Sequence, residues 1–125
     1  MSEYIAVEGL TIDHSAGSPV SGGVFTITSV ASSVVAVEGK GIYTVEINFT
    51  FAGGTHTGGT SGSATGAGSV TATAAKVKSE GGEVMRVGDM GDMDGTYVIP
   101  PNTPGSFTGA PVEITDANQD KVKAK

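Results

Sequence analysis

The residues of this chain best suited to chemistry are two histidines, His14 and His56, and a run of carboxylates in Asp89-Met90-Gly91-Asp92-Met93-Asp94-Gly95. Three aspartates around glycine match part of a calcium loop, where hard carboxylate oxygens surround the ion. The full loop needs a glutamate where this chain has Pro100, so the run reads as an acidic surface turn. No serine, histidine and acid fall into a nucleophile arrangement, and Gly17-Ser18-Pro19 is ordinary loop sequence. Gly53-Gly54 and Gly58-Gly59-Thr60 lack the lysine and the following helix of a phosphate loop. Paired carboxylates for glycoside hydrolysis would need a cleft with aromatic platforms, which a small, aromatic-poor chain scarcely offers. No catalytic residue is assigned, and an enzyme is not expected.

Composition narrows the remaining classes. The chain has 125 residues, of which 38% are apolar, 6% aromatic and 16% charged, with Gly at 20 positions. That length suits one domain, but small residues each bury little apolar area at about 25 cal/mol per Å². The fold must therefore lean on sheet hydrogen bonding, on a partner surface or on a bound metal. A net charge of -6 disfavours nucleic acid, since phosphate neutralisation needs clustered Lys and Arg. Three of the seven basic residues, Lys121, Lys123 and Lys125, fall in the last positions and read as a solvated tail. With no cysteine, disulfides and thiolate metal sites are excluded. No basic n-region precedes an apolar run, and no stretch is long enough for a membrane span. The expectation is assembly in the cytoplasm, with delivery outside the cell by a route that reads no N-terminal signal.

The elements that position these residues read as strands. Ile47–Ala75 carries no charge and holds His56 at its centre. Strand patterning at both ends makes it two strands joined by a glycine-rich bend, rather than a linker. Ser2–Ile12 reads as a short strand, Asp13–Gly23 as loop, and Val24–Thr28 and Val34–Glu38 as β-rich runs. Glu38-Gly39-Lys40-Gly41 and Ser79-Glu80-Gly81-Gly82 read as turns. Ile42–Phe51 is the strongest strand, with Tyr43, Val45, Ile47, Phe49 and Phe51 on one face. Val84–Val87 and Val112–Thr115 read as short strands. Residues 91–107 read as a long loop, with a strand at Thr96–Ile99 and prolines 100, 101 and 104 barring helix. Residues 1–116 are expected to form one all-β domain, and 117–125 a short tail.

The chain also repeats itself. His14, Ser21-Gly22-Gly23, Ser29-Val30, Val37 to Ile42 and Val45 align with His56-Thr57-Gly58-Gly59, Ser69-Val70, Val77, Gly81 to Val84 and Val87-Gly88-Asp89. Each copy is a histidine, a glycine pair, a strand, a glycine turn and a second strand, which suggests hairpins stacked around an axis.

These residues carry a resemblance to the PAAR family, the small spike-tip proteins of contractile injection machines. His56-Thr57-Gly58-Gly59-Thr60 and Glu83-Val84-Met85-Arg86-Val87-Gly88-Asp89 resemble its motifs, with Gly58, Gly59, Val87, Gly88 and Asp89 as the matching positions. The resemblance covers about residues 11–90, with Ala110–Asp116 as an eroded third copy. It implies a small cone of hairpins about a pseudo-threefold axis, with its broad base on a trimeric β-helical spike and its vertex toward the target membrane. Its setting would be a secretion-system spike, an extracellular injection particle or a phage-like tail, with one copy per spike and no enzymatic activity.

Family members hold a metal near the vertex through three histidines and a cysteine, and this chain has only His14 and His56. The resemblance implies zinc or iron on those two, with Asp92 and Asp94 as further ligands. That is a poorer set than the four protein ligands of a closed zinc site. The rival expectation is a small β-sandwich or β-roll module whose neutral Gly/Thr surface contacts carbohydrate or protein.

Overall fold

The structure is a computed structural model that describes residues 3–73, 78–79, 82–120 and 122–124. Among them it holds strands and no helix, in the order β1 (Glu3–Tyr4), β2 (Thr11–His14), β3 (Val20–Ile27), β4 (Ala36–Val37), β5 (Lys40–Gly41) and β6 (Glu46–His56). There follow β7 (Ala64–Thr71), β8 (Lys78–Ser79), β9 (Gly82–Glu83), β10 (Met90–Ile99), β11 (Thr103–Asp116) and β12 (Lys123–Ala124). The all-β reading therefore stands.

Six strands form one antiparallel sheet in the order β2-β11-β10-β7-β6-β3, curled into a nearly closed barrel. Alternation explains its wall. Along β6, Ile47, Phe49 and Phe51 are buried while Glu46, Asn48 and Thr50 are exposed, the period of a strand with one wet face. From the other strands Ile12, Val20, Val70, Met93, Phe107, Val112 and Ile114 complete the core. Walking round the sheet from His14 through Val112, Gly91, Val70 and Ile47 leads past the Ile27 end of β3, yet His14 touches Gly22 near its start. This offset is the stagger that a closing barrel needs.

Glycine sets how close the strands come. A Cβ on Gly68 would lie 2.0 Å from the Asp92 carbonyl oxygen, and one on Gly91 would lie 1.8 Å from that of Ser69. The uncharged middle thus forms strands over 47–56 and 64–71, residues 74–75 lying outside the described residues, and its poverty in side-chain volume is what lets β7 and β10 meet.

At one end of the barrel the chain passes three times through a short segment. Isolated bridges join Val7 to Ile42, Thr44 to Val84 and Arg86 to Ile5, so each segment touches the next and the third returns to the first. Backbone hydrogen bonds follow the same cycle: Glu8 N–H to Gly41 O at 3.0 Å, Val45 N–H to Glu83 O at 2.8 Å and Val87 N–H to Tyr4 O at 2.9 Å. Ala6, Tyr43 and Met85, at the middle of the three segments, belong to the barrel core, while Ile5, Val7, Ile42 and Val84 make a second small cluster. Three two-stranded pairs, β1-β12, β4-β5 and β8-β9, flank this ring.

Several expectations are corrected. Stacked repeats about a pseudo-threefold axis are not shown by the barrel: β2 has 4 residues where β6 has 11, and no pairing joins β2 to β3. Ala110–Asp116 is no eroded third copy but the end of β11, the longest strand at 14 residues. The expected loop over 91–107 is mostly the hairpin β10-β11, whose glycines and aspartates hide the inward Met93 and Phe107 from a search for alternation. Asp13–Gly23 is not all loop, since β2 ends on His14 and β3 begins at Val20. Val45 leaves the buried face of its strand, because a φ of 67° turns the chain there before β6 begins. The expected solvated tail is in part packed: among its described residues Ala117 is buried, Gln119 donates to Ile5 O at 2.8 Å, and β12 pairs with β1.

Candidate functional site

Strands β2, β6 and β10 all leave the ring, so His14 and His56, at the far ends of β2 and β6, lie toward the opposite end of the barrel. His14 Nε2 is 2.7 Å from the Gly22 carbonyl. A carbonyl only accepts, so Nε2 carries the proton and Nδ1 presents a lone pair. That Nδ1 is buried without a hydrogen-bond partner. The ring lies 5.1 Å from Phe25 and 5.2 Å from Phe51, centroid to centroid, and joins the two edge strands by a side chain where no ladder does.

His56 has a different setting. Its Nδ1 donates to Thr57 O at 2.7 Å, and its ring stacks on Tyr97 at 3.9 Å with 6° between planes. Gly58 takes a φ of 79°, and Gly59 N–H donates to His56 O at 2.8 Å, closing the turn. A Cβ on Gly59 would lie 2.7 Å from the Tyr97 ring, so this glycine is the floor of the stack. Gly58 and Gly59 thus act on backbone geometry and ring packing.

A metal needs these imidazoles to converge with further ligands. Each histidine keeps one nitrogen lone pair, but among the described residues no group of three His, Cys, Asp or Glu could hold an ion. Asp92 and Asp94 flank the buried Met93 on the outer face of β10, and Asp94 Oδ1 accepts from Gly109 N–H at 2.8 Å. The described side chains therefore do not assemble the four ligands of a closed zinc site. From Met90 onward the acidic run is also not a turn, since it lies in a paired strand.

The Val87-Gly88-Asp89 element stands at the ring. Gly88 turns the chain with a φ of 92°, and Asp89 is fully buried. Its carboxylate accepts from Thr73 Oγ1 at 2.5 Å and from Arg86 N–H at 2.9 Å, with Arg86 Nε at 3.6 Å. Those donors and the guanidinium replace the water that a buried carboxylate loses. Asp89 thereby holds the third segment to the end of β7. Sequence reading placed this residue in a motif without seeing the partner Thr73, which is distant in the chain.

Basic residues are unevenly placed. Among the described residues Lys40, Lys78, Arg86 and Lys123 fall in or beside the ring and its flanking pairs, together with Glu3, Glu8, Glu38, Glu83, Asp89 and Asp120. The six barrel strands contain no Lys or Arg, but carry Asp13, Glu46, Asp92, Asp94, Glu113 and Asp116. Exposed apolar side chains also gather around the ring in sequence: Val34 precedes β4, Val45 follows β5 and Val122 precedes β12. At Tyr43, burial pushes the hydroxyl above its ordinary pKa of 10.0, and the Glu8 carboxylate adds to this. No helix among the described residues is long and apolar enough to cross a membrane. Comparison with family models, with curated proteins and with solved structures finds no match for this chain.

Proposed function

We propose that this protein is a non-enzymatic spike tip that caps a trimeric β-helical spike of a contractile injection machine, ring end down. The observation that carries the reading is the cycle Val7–Ile42, Thr44–Val84, Arg86–Ile5. A single chain meeting a threefold partner must offer three comparable contacts, and a closed cycle of three short segments does so where a plain barrel end would not. The exposed Val34, Val45 and Val122 support the same surface, one beside each flanking pair. In this reading the tip is mechanically firm through sheet pairing and its histidines are packing and hydrogen-bonding groups.

The test is to mix the chain with a trimeric β-helical spike fragment and weigh the assembly by native mass spectrometry. One chain per trimer is expected, and V34D, V45D and V122D should each weaken the complex. Three chains per trimer, or binding indifferent to all three changes, would defeat the reading.

A further inference from the structure

The barrel is open along one seam. Between β2 and β3 lies a cleft of about 500 Å³ lined by Leu10, Ile12, Asp13, Gly22, Phe25 and Ile27, among others. That volume falls within the range of ligand pockets. No backbone hydrogen bond joins the two strands among the described residues, and His14 crosses the gap at one end only.

The pairing phase fixes which backbone groups face the gap. Ser15 N–H donates to Pro111 O on the β11 side, so by alternation Ile12 on β2 directs its backbone groups the other way. Thr28 N–H donates to Asn48 O on the β6 side, so Phe25 and Ile27 on β3 direct theirs into the cleft. Two strand edges thus face each other, with apolar side chains behind them. Such edges are templates for a further strand.

The rim specifies the charge of that strand. Asp13 lines the cleft and is the register partner of Glu113 on β11, and Asp13 Oδ1 accepts from the His14 N–H at 2.7 Å. Like charges directly opposite destabilise a sheet, and no Lys or Arg lies on any barrel strand to offset them.

We infer that the β2-β3 seam binds an extended, lysine- or arginine-bearing peptide segment of another protein, which displaces the His14 bridge to Gly22, inserts as a seventh strand and sets a cation against Asp13 and Glu113. β2 offers 4 residues, a span of about 13 Å at a strand's rise. The inference does not rest on the spike-tip reading, because the seam runs along the barrel wall and the ring closes its end.

The experiment uses the full chain and a pool of synthetic octapeptides of alternating valine and threonine, with one lysine fixed at each position in turn. Titration followed by amide hydrogen exchange should show binding by members of the pool, with new protection confined to Thr11–His14 and Val20–Ile27. The same peptides with glutamate in place of lysine should bind at least about tenfold more weakly, and D13K and E113K should reverse that preference. Methylation of the peptide's bonding amides should abolish binding while leaving side chains intact. No binding by any pool member, protection elsewhere, a charge preference unmoved by D13K and E113K, or self-association of the chain through the seam would overturn the inference.

Discussion

Two joints in the same barrel wall are opposites. Between β7 and β10, the glycines sit so near the facing strand that no Cβ fits at their positions: a methyl on Gly91 would lie 1.8 Å from the Ser69 oxygen. Between β2 and β3 no ladder forms, and one imidazole hydrogen bond of 2.7 Å crosses the gap. Glycine lets β7 and β10 approach closely at positions 68 and 91, whereas the β2-β3 gap is spanned by the His14 ring, packed against Phe25 and Phe51 of the paired strands β3 and β6.

The largest effect should come from filling the closed joint. Gly68→Val places side-chain carbons where backbone stands, and overpacking of this severity costs about 3 kcal/mol or more. Urea unfolding should show it, whereas the same change at exposed Gly22 on the seam, which has space around its Cβ but a φ of 66°, should cost less. A midpoint indifferent to Gly68→Val would mean that β7 and β10 are not so joined.

Next comes the ring. Asp89→Ala leaves Thr73 Oγ1 and the Arg86 N–H without their acceptor in a buried setting, a loss of about 3 kcal/mol. Thermal unfolding would register it as a lower midpoint, with a smaller loss in Asp89→Asn, whose remaining oxygen still accepts. At the open joint the effect is smaller: His14→Ala removes one side-chain hydrogen bond and two ring contacts, about 1–2 kcal/mol. Its signature should be faster amide exchange in β2 and β3 alone, and elemental mass spectrometry should find wild type and variant alike in metal content.

The smallest effect is that of Tyr43. Its hydroxyl is held above its ordinary pKa, so the folded chain binds that proton more tightly than the unfolded chain does. The contribution is therefore fully present below pH 10.0 and is lost as pH rises through the folded value. Unfolding curves measured at alkaline pH should show this loss in wild type and less of it in Tyr43→Phe.

The same contrast explains what could be read from the chain. In β6 the inward Ile47, Phe49 and Phe51 alternate with polar neighbours, so class, strand and face were all legible. In β10 the inward positions include Gly91 and Gly95, whose role is to be small, and no hydrophobic period marks them. The turn at 38–41 was legible because glycine and charge punctuate it, and β4-β5 flanks it; the centre of the expected turn at 79–82 lies outside the described residues, while β8 and β9 pair on either side of it. The cycle of three segments was not, because Ile5, Ile42 and Val84 meet by long-range bridges that leave no local signature. Nor was the seam, which is the lack of a pairing. The histidines were visible as chemistry, but their partners, two backbone carbonyls, belong to no side-chain pattern.

The most direct measurement is site-resolved amide hydrogen exchange of the whole chain, alone and with a trimeric β-helical spike fragment. If the ring is the docking end, added protection falls around Val34, Val45 and Val122 and leaves β2 and β3 unchanged. Protection along the barrel wall instead, or none at all, would contradict the assignment of that end as the base of a spike tip.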